Sequence, residues 1–489
     1  MVDALDRGSS SPTTQRIRPQ GRMISGTSQT FESLENILFI AFLAGLAWVP
    51  AWLGSNRIVP WGINAVYFGL ILLAYEASIL LSGRRHPVGI RRFLYPAAAF
   101  VAVCLWILVQ MATFLPAFML HPIWGAAAEA TGDLLHGSIS VNRDLTMLGF
   151  IRLLTAGSVL WLSIQLCRNE KRSHFLLQWI AIVGAVYALY GFVTNALFSG
   201  SIFWFEVPDM LPFVRSTFVN RNSAATYFGM TFVASCSCLF RLYQHSGHAG
   251  ASLRMRIVTM LETTAQRGWF FIAATFLSLS GLLLSGSRAG ILCTTLGLFV
   301  LVILMFQRRK RKTEILEAIL FLTVGLVLTF IFFGDILVGR IMTTGFGDAS
   351  RLSAYWIVLQ SIKDELLLGF GYSTFPDVFP LYRDRSVPIL GSWDKAHNTY
   401  LELFQGLGVP GACLLIASVG ALGYRCAVGA LKRQQSIAPS CVATAVVVLV
   451  GTHAFVDFSL QIQAVTLTFM ALLGCGLAQA ESSRHNLAD

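Results

Sequence analysis

The chain has 489 residues, of which 55% are hydrophobic and only 12% charged, with a mean hydropathy of +0.65. Soluble domains carry about a quarter charged residues, so this composition excludes a water-soluble globular protein and indicates an integral membrane protein. The net charge of +11 does not signal nucleic acid, because Lys and Arg fall in short clusters between apolar runs, the pattern of a polytopic membrane protein.

Residues 1–34 are polar, with Ser9, Ser10 and Ser11 and the arginines Arg7, Arg16, Arg18 and Arg22, and read as a disordered cytoplasmic tail rather than a signal peptide. Continuous apolar runs follow at 35–53, 58–82, 93–120, 145–167, 174–199, 219–241, 269–286, 289–306 and 315–334. They predict transmembrane helices 1–9 over residues 35–334. Glu76, inside the second run, is an acid with no partner evident in the sequence. A long polar, aromatic-rich connection at 335–398 precedes further runs at 399–424, 440–456 and 462–479, which predict transmembrane helices 10–12 over 399–479. The last two runs also admit one long helix broken at Asp457. Residues 480–489 form a short tail. The whole reads as an all-α polytopic bundle of about twelve spans, and the continuity of the runs excludes the alternation of a β-barrel.

Within the long connection, Leu352, Tyr355, Trp356, Leu359, Ile362 and Leu366 recur at helical spacing, with Arg351, Lys363 and Asp364 elsewhere on the wheel. An amphipathic helix on the outer membrane surface is expected there. Basic clusters occupy every second connection: Arg84, Arg85, Arg91 and Arg92; Arg168, Lys171 and Arg172; Arg241, Arg254, Arg256 and Arg267; positions 308–312; and Arg425, Lys432 and Arg433. Under the positive-inside rule both termini are cytoplasmic and the connection at 335–398 faces outward. The nine cysteines lie in or beside apolar runs, so neither a disulfide framework nor a metal site is indicated, and no cofactor motif is present.

Arginines on the outward side cannot be topology signals, and they need another reason. Arg288, in SGSRAG at 285–290, sits in a turn between two apolar helices. An arginine at the centre of a span costs about 2.5–3.5 kcal/mol and less near the interface; an anionic ligand would offset that cost, and snorkelling to lipid phosphate is the alternative. Arg215, Asn220, Arg221 and Asn222, in RSTFVNRN, stand at a helix start as a cradle for phosphate oxygens, or as caps that pair with Glu206 or Asp209. His397 and Asn398 stand at the junction of the long connection with the next helix, beside Trp393 and Tyr400. There an imidazole can take a proton near neutral pH, or simply anchor the helix at the interface. His453 and Asp457, four apart near the end of a span, are candidates for a hydrogen-bonded pair serving the same site or for a packing contact between helices.

Together STFVNRN, SGSRAG, the turn GFGYSTF at 369–375 and AHNTYLELFQGLGVPG at 396–411 resemble the O-antigen ligase and polymerase superfamily over roughly residues 215–475. The resemblance implies a C-type glycosyltransferase bundle in the bacterial inner membrane. It implies a metal-independent, inverting transfer of a glycan from an undecaprenyl diphosphate carrier to a hydroxyl on the periplasmic side. The acceptor is a growing glycan or lipid A core, and membrane lipid surrounds the protein. By this resemblance His397 and Arg288 are catalytic, a further arginine falls on Arg215 in preference to Arg221, and Arg351 stands where relatives carry an arginine; with these, Arg221, Asn220, Arg351, Asn398, Tyr400, His453 and Asp457 are the expected substrate-binding residues. A protein O-oligosaccharyltransferase, and a small-solute transporter of the same helix count, remain the alternatives.

Overall fold

Apolar runs with no water around them must satisfy their backbone internally, and the chain does so almost wholly with helices. The computed structural model describes residues 23–198, 201–203, 205–206, 213–246, 253–307, 349–387 and 393–480. Residues 1–22 of the expected tail at 1–34, the basic positions 308–312, the expected span at 315–334, the start of the long connection and the residues after 480 lie outside the described residues, whereas 23–34 are helical.

In chain order the helices are α1 (Met23–Trp48), α2 (Ile58–Ser82), α3 (Leu94–Met111), α4 (Ile123–Thr131), α5 (Arg143–Leu166), α6 (Glu170–Leu197), α7 (Arg221–Ser246), α8 (Leu253–Thr263), α9 (Trp269–Leu284) and α10 (Arg288–Phe306). Then come α11 (Ala349–Asp364), α12 (Phe375–Tyr382), α13 (Thr399–Lys432), α14 (Ala438–His453) and α15 (Gln463–Ala480). A two-residue ribbon pairs Ser201–Ile202 with Phe205–Glu206. Among the described residues eight helices are long and apolar enough to cross a membrane, and α9 and α14 are shorter apolar helices. This is an all-α polytopic membrane protein. The last two apolar runs are separate helices, α14 and α15, with Asp457 in the connection between them.

Burial sorts the spans. α15 is enclosed along its length by α5, α14 and α13, and its sequence is correspondingly rich in small and polar residues. Gly474 meets the Leu160 carbonyl of α5 and Gly476 the Ala443 side chain of α14, so a side chain at either position would hold the helices apart. α2 and α3 lie at the periphery, and leucines such as Leu70, Leu73 and Leu80 of α2 point outward, as lipid-facing residues must. Glu76 is not isolated: it accepts a hydrogen bond from Trp161 Nε1 at 2.7 Å and meets His86 Nε2 at 2.8 Å.

The two glycine-bearing motifs of the long connection and α13 are partners. Pro410 has no N–H, so the Gly406 carbonyl four residues earlier is left without a helical donor. Gly371 N–H, at 3.0 Å, and Gln110 Nε2, at 2.8 Å, fill it. Gly408, at φ +70°, leaves the helical conformation, and a Cβ there would collide with the Leu367 carbonyl. Phe370 N–H donates to Gln405 O and Val409 N–H to Leu366 O, so GFGY is laced onto the kink of α13.

The expected stripe of α11 is displaced. Ala354, Ile357, Val358, Ser361 and Ile362 are buried on the side of Phe375, Phe379, Val387 and Ala396; of the expected stripe Ile362 and Leu359 pack there, whereas Leu352 and Trp356 are exposed. The helix has two apolar faces, and the more tightly packable one took the protein side.

Candidate active site at the bundle mouth

The starts of α5, α7, α10, α13 and α15 and the ends of α3, α9 and α14 share one end of the bundle, its mouth. Side-chain caps begin several of these helices. Asn142 accepts from the N–H groups of Asp144 and Leu145. Asn220 accepts from Asn222 and Ser223, Ser287 from Gly290, and Asn398 from Leu401. In three of the four the next residue is arginine: Arg143, Arg221 and Arg288. Arg351 is the third residue of α11. Cations are ordinarily disfavoured at a helix N-terminus, where the peptide dipoles leave a partial positive charge.

His397 stands at the centre of the mouth in the left-handed region, at φ +54°, a conformation that costs a non-glycine residue about 1–3 kcal/mol unless its surroundings impose it. Here they do. Ala396 N–H donates to Glu402 Oε1 at 2.6 Å, the His397 carbonyl accepts from Tyr355 OH at 2.8 Å, and Thr399 N–H donates to the Ala454 carbonyl. The ring lies edge-on to Phe458, with centroids 4.9 Å apart. Its Nδ1 is 3.6 Å from Asp457 Oδ1; the histidine side chain is 23% exposed and the aspartate 0%. An acid on the Nδ1 side favours the tautomer that leaves Nε2, on the far side of the ring, able to accept a proton.

Asp457 is the hub. It accepts from Asn222 Nδ2 at 3.0 Å and from Ser459 Oγ at 2.5 Å. Burial pushes its carboxyl up, but the His397 imidazole, His453 and the Ser459 hydroxyl outweigh burial and bring it down to about 2. His453 is buried and does not bond Asp457 directly. Its Nδ1 meets Thr226 Oγ1 at 2.8 Å and Ser459 Oγ at 3.3 Å, so the two expected partners are joined through a hydroxyl.

The remaining candidates arrive by other routes. Arg351 Nη1 donates to the Val456 carbonyl at 3.2 Å, one residue from Asp457. Asn220 and Arg221 adjoin Asn222, and Arg221 lies over the Phe213 ring at 4.7 Å. Val214 N–H donates to Leu284 O, which sets Arg215 beside the turn that carries Arg288; Phe213 also packs against Gly286 in that turn. Arg215 Nη1 reaches the Val219 carbonyl at 3.3 Å. Tyr400 donates its hydroxyl to Gly451 O at 2.8 Å and so ties α13 to α14. Sequence reasoning passed over Asn222 as a partner of Asp457, and it passed over Thr226, Ser459, Arg152, Glu402 and Gln461. A signal for part of this set exists in DFSLQIQ at 457–463, where polar residues alternate strictly through an otherwise apolar connection.

Fold and mouth together define a polytopic helical membrane protein in which arginines and a histidine stand at one end of the bundle. Residues 273–416 match the family model described as O-antigen ligase, and this match supports membership of the O-antigen ligase superfamily. It spans Arg288, Arg351, His397, Asn398 and Tyr400 and leaves Arg215, Arg221, His453 and Asp457 outside. The family points to a glycan-transferring enzyme of the ligase or polymerase type that acts on glycan and lipid-linked substrates. No curated protein matches the chain.

Proposed function

We propose that the protein transfers a glycan from an undecaprenyl diphosphate carrier to a hydroxyl acceptor, with inversion at the anomeric carbon, at a mouth that faces the periplasm from the bacterial inner membrane. In this reading both termini are cytoplasmic, and residues 335–398 form the periplasmic connection between transmembrane helices 1–9 and 10–12. The observation that carries it is that Arg221, Arg288 and Arg351 each stand in the first turn of a helix that begins at the mouth. Both the helix dipole and the positive-inside rule oppose cations there, and a doubly charged phosphate ester offsets both.

His397 Nε2 takes the proton of the acceptor hydroxyl as its oxygen attacks the anomeric carbon. The new glycosidic C–O bond forms as the bond to the diphosphate oxygen breaks, and the carrier leaves with the bonding pair as the diphosphate anion. Arg288 and Arg215 hold that growing charge, with Arg221 and Arg351 on the flanking oxygens. Asp457 fixes the imidazole, while Asn220 and Asn398 hold the two helix starts in place. Arginines in a low-dielectric cleft can neutralise a diphosphate leaving group by themselves, so the proposed transfer is metal-independent.

The test is transfer from a labelled undecaprenyl-diphosphate glycan by purified protein, offered lipid A core, a glycan of the same repeat and a protein acceptor in turn. Product on the first marks a ligase, on the second a polymerase, and on the third a protein glycosyltransferase. Wild-type rates from His397→Ala would overturn the assignment of the base.

A further inference from the structure

DFSLQIQ presents its polar side chains at every second position, and they reach different helices. Asp457 meets Asn222 of α7, and Gln463 Oε1 accepts from Asn64 Nδ2 of α2 at 2.8 Å. Gln461 is the member that reaches the first turn of α13. Its Nε2 donates to Glu402 Oε2 at 2.5 Å, while Glu402 Oε1 accepts from Ala396 N–H at 2.6 Å. One carboxylate therefore clips the chain just before His397 to the segment that carries Asp457. A first-turn acid usually reaches the N–H of its own cap residue. Here Asn398 is the cap, and Glu402 reaches two residues further back, across His397.

The clip has a cationic backstop. Arg152, on α5 about 13 Å along the helix from Arg143 at 1.5 Å per residue, donates to the Gln461 carbonyl and stacks over the Trp61 ring at 4.4 Å. An arginine and a carboxylate, both half-buried, are joined through the two ends of one glutamine. Nothing in helix packing requires a carboxyl and a guanidinium at this depth, since a glutamine at 402 could accept from Ala396 N–H equally well.

We infer that Glu402, held by Gln461 and Arg152, is a positioning residue that sets the distance between His397 and Asp457. This rests on the transfer reading above. Glu402→Gln keeps shape and the acceptor for Ala396 N–H but turns an NH2 toward Gln461, whose amide must then rotate to offer Oε1 in place of Nε2 and so reset the clip. The expected result is a fall in kcat of about ten- to a hundredfold, because a misplacement of about 1 Å costs on that order, with KM unchanged. Glu402→Gln combined with Gln461→Glu restores a carboxylate opposite an amide N–H and is expected to recover most of the rate. The imidazole resonances of His397, followed by NMR on histidine-labelled protein, should shift in the single variant and return in the double variant.

A loss of rate that the double variant does not recover, or one that follows only the amount of folded protein while the His397 resonances stay put, overturns the positioning role. His397→Ala keeps the two readings apart. If it is inactive while Glu402→Gln has wild-type kcat, the clip fails and the base stands; if it is fully active, the base fails whatever Glu402 does.

Discussion

The two ends of the bundle both gather arginines, and they use them in opposite ways. Away from the mouth, Arg168 donates to the Ala478 carbonyl at 2.9 Å and Arg433 to that of Gln479, so both fill the last carbonyls of α15. Arg425 reaches the Arg92 carbonyl, and Lys432 lies in the last turn of α13. Arg168, Arg433 and Lys432 thus sit at helix C-termini, where the dipole welcomes cations, while Arg425 ties α13 to the turn just before α3. At the mouth, Arg221, Arg288 and Arg351 begin helices. Charge at one end completes helix carbonyls; at the other, in the proposed transfer, it also serves a ligand.

The comparison breaks most visibly if one arginine from each end is exchanged for alanine. Arg288→Ala is expected to lower turnover by about a hundred- to a thousandfold, the 2.7–4 kcal/mol of one lost transition-state donor. Its thermal midpoint should fall less than that of Arg433→Ala, because the cation it removes stood at the positive end of α10. Arg433→Ala should do the reverse: turnover per folded molecule close to wild type, and stability lower by about 1.5–3 kcal/mol from the lost charged hydrogen bond. Similar behaviour of the two variants, in transfer assays and thermal melts run side by side, removes the distinction.

A smaller effect sharpens the role of the hub. The Asp457 carboxyl is held near 2, below its ordinary value of 3.8. A carboxyl depressed on folding contributes stability that is present above its unfolded value and is lost as pH falls through the folded one. Wild-type protein should therefore lose roughly 2 kcal/mol between about pH 4 and pH 2, at 1.36 kcal/mol per unit. Asp457→Asn should flatten that part of the denaturation curve, and an unchanged curve would mean the carboxylate is not held by its neighbours.

A last contrast separates the mouth from the middle of a single helix. Gly408→Ala forces a Cβ against the Leu367 carbonyl at positive φ and should cost about 1–3 kcal/mol. Gly420, further along α13, has open space where a side chain would begin, with nothing within 4 Å, and Gly420→Ala should raise stability by up to about 1 kcal/mol. Thermal midpoints that move in the same direction would place the strain elsewhere.

The spans were legible because hydrocarbon demands continuous apolar runs, and the helix starts because caps are local. Even the arginines at those starts are written plainly, as Asn142–Arg143, Asn220–Arg221 and Ser287–Arg288. The network around His397 was not legible, because its partners come from α2, α5 and α7, hundreds of positions away in some cases, and a hydropathy window averages Arg152 into its apolar neighbours. α11 shows a subtler failure. Its period announced a helix, but Leu352 and Trp356 belong to one apolar face and Ile357 and Val358 to another, and only packing against Phe375 and Phe379 decides between them.

The central claim is that the mouth arginines exist for a lipid-borne diphosphate. Calorimetric titration of undecaprenyl diphosphate into protein held in nanodiscs tests it most directly. Arg288→Ala and Arg215→Ala should each weaken binding by tenfold or more, roughly 1.4 kcal/mol, while Arg433→Ala and His397→Ala bind as wild type does. Equal affinity across all four variants would contradict the account.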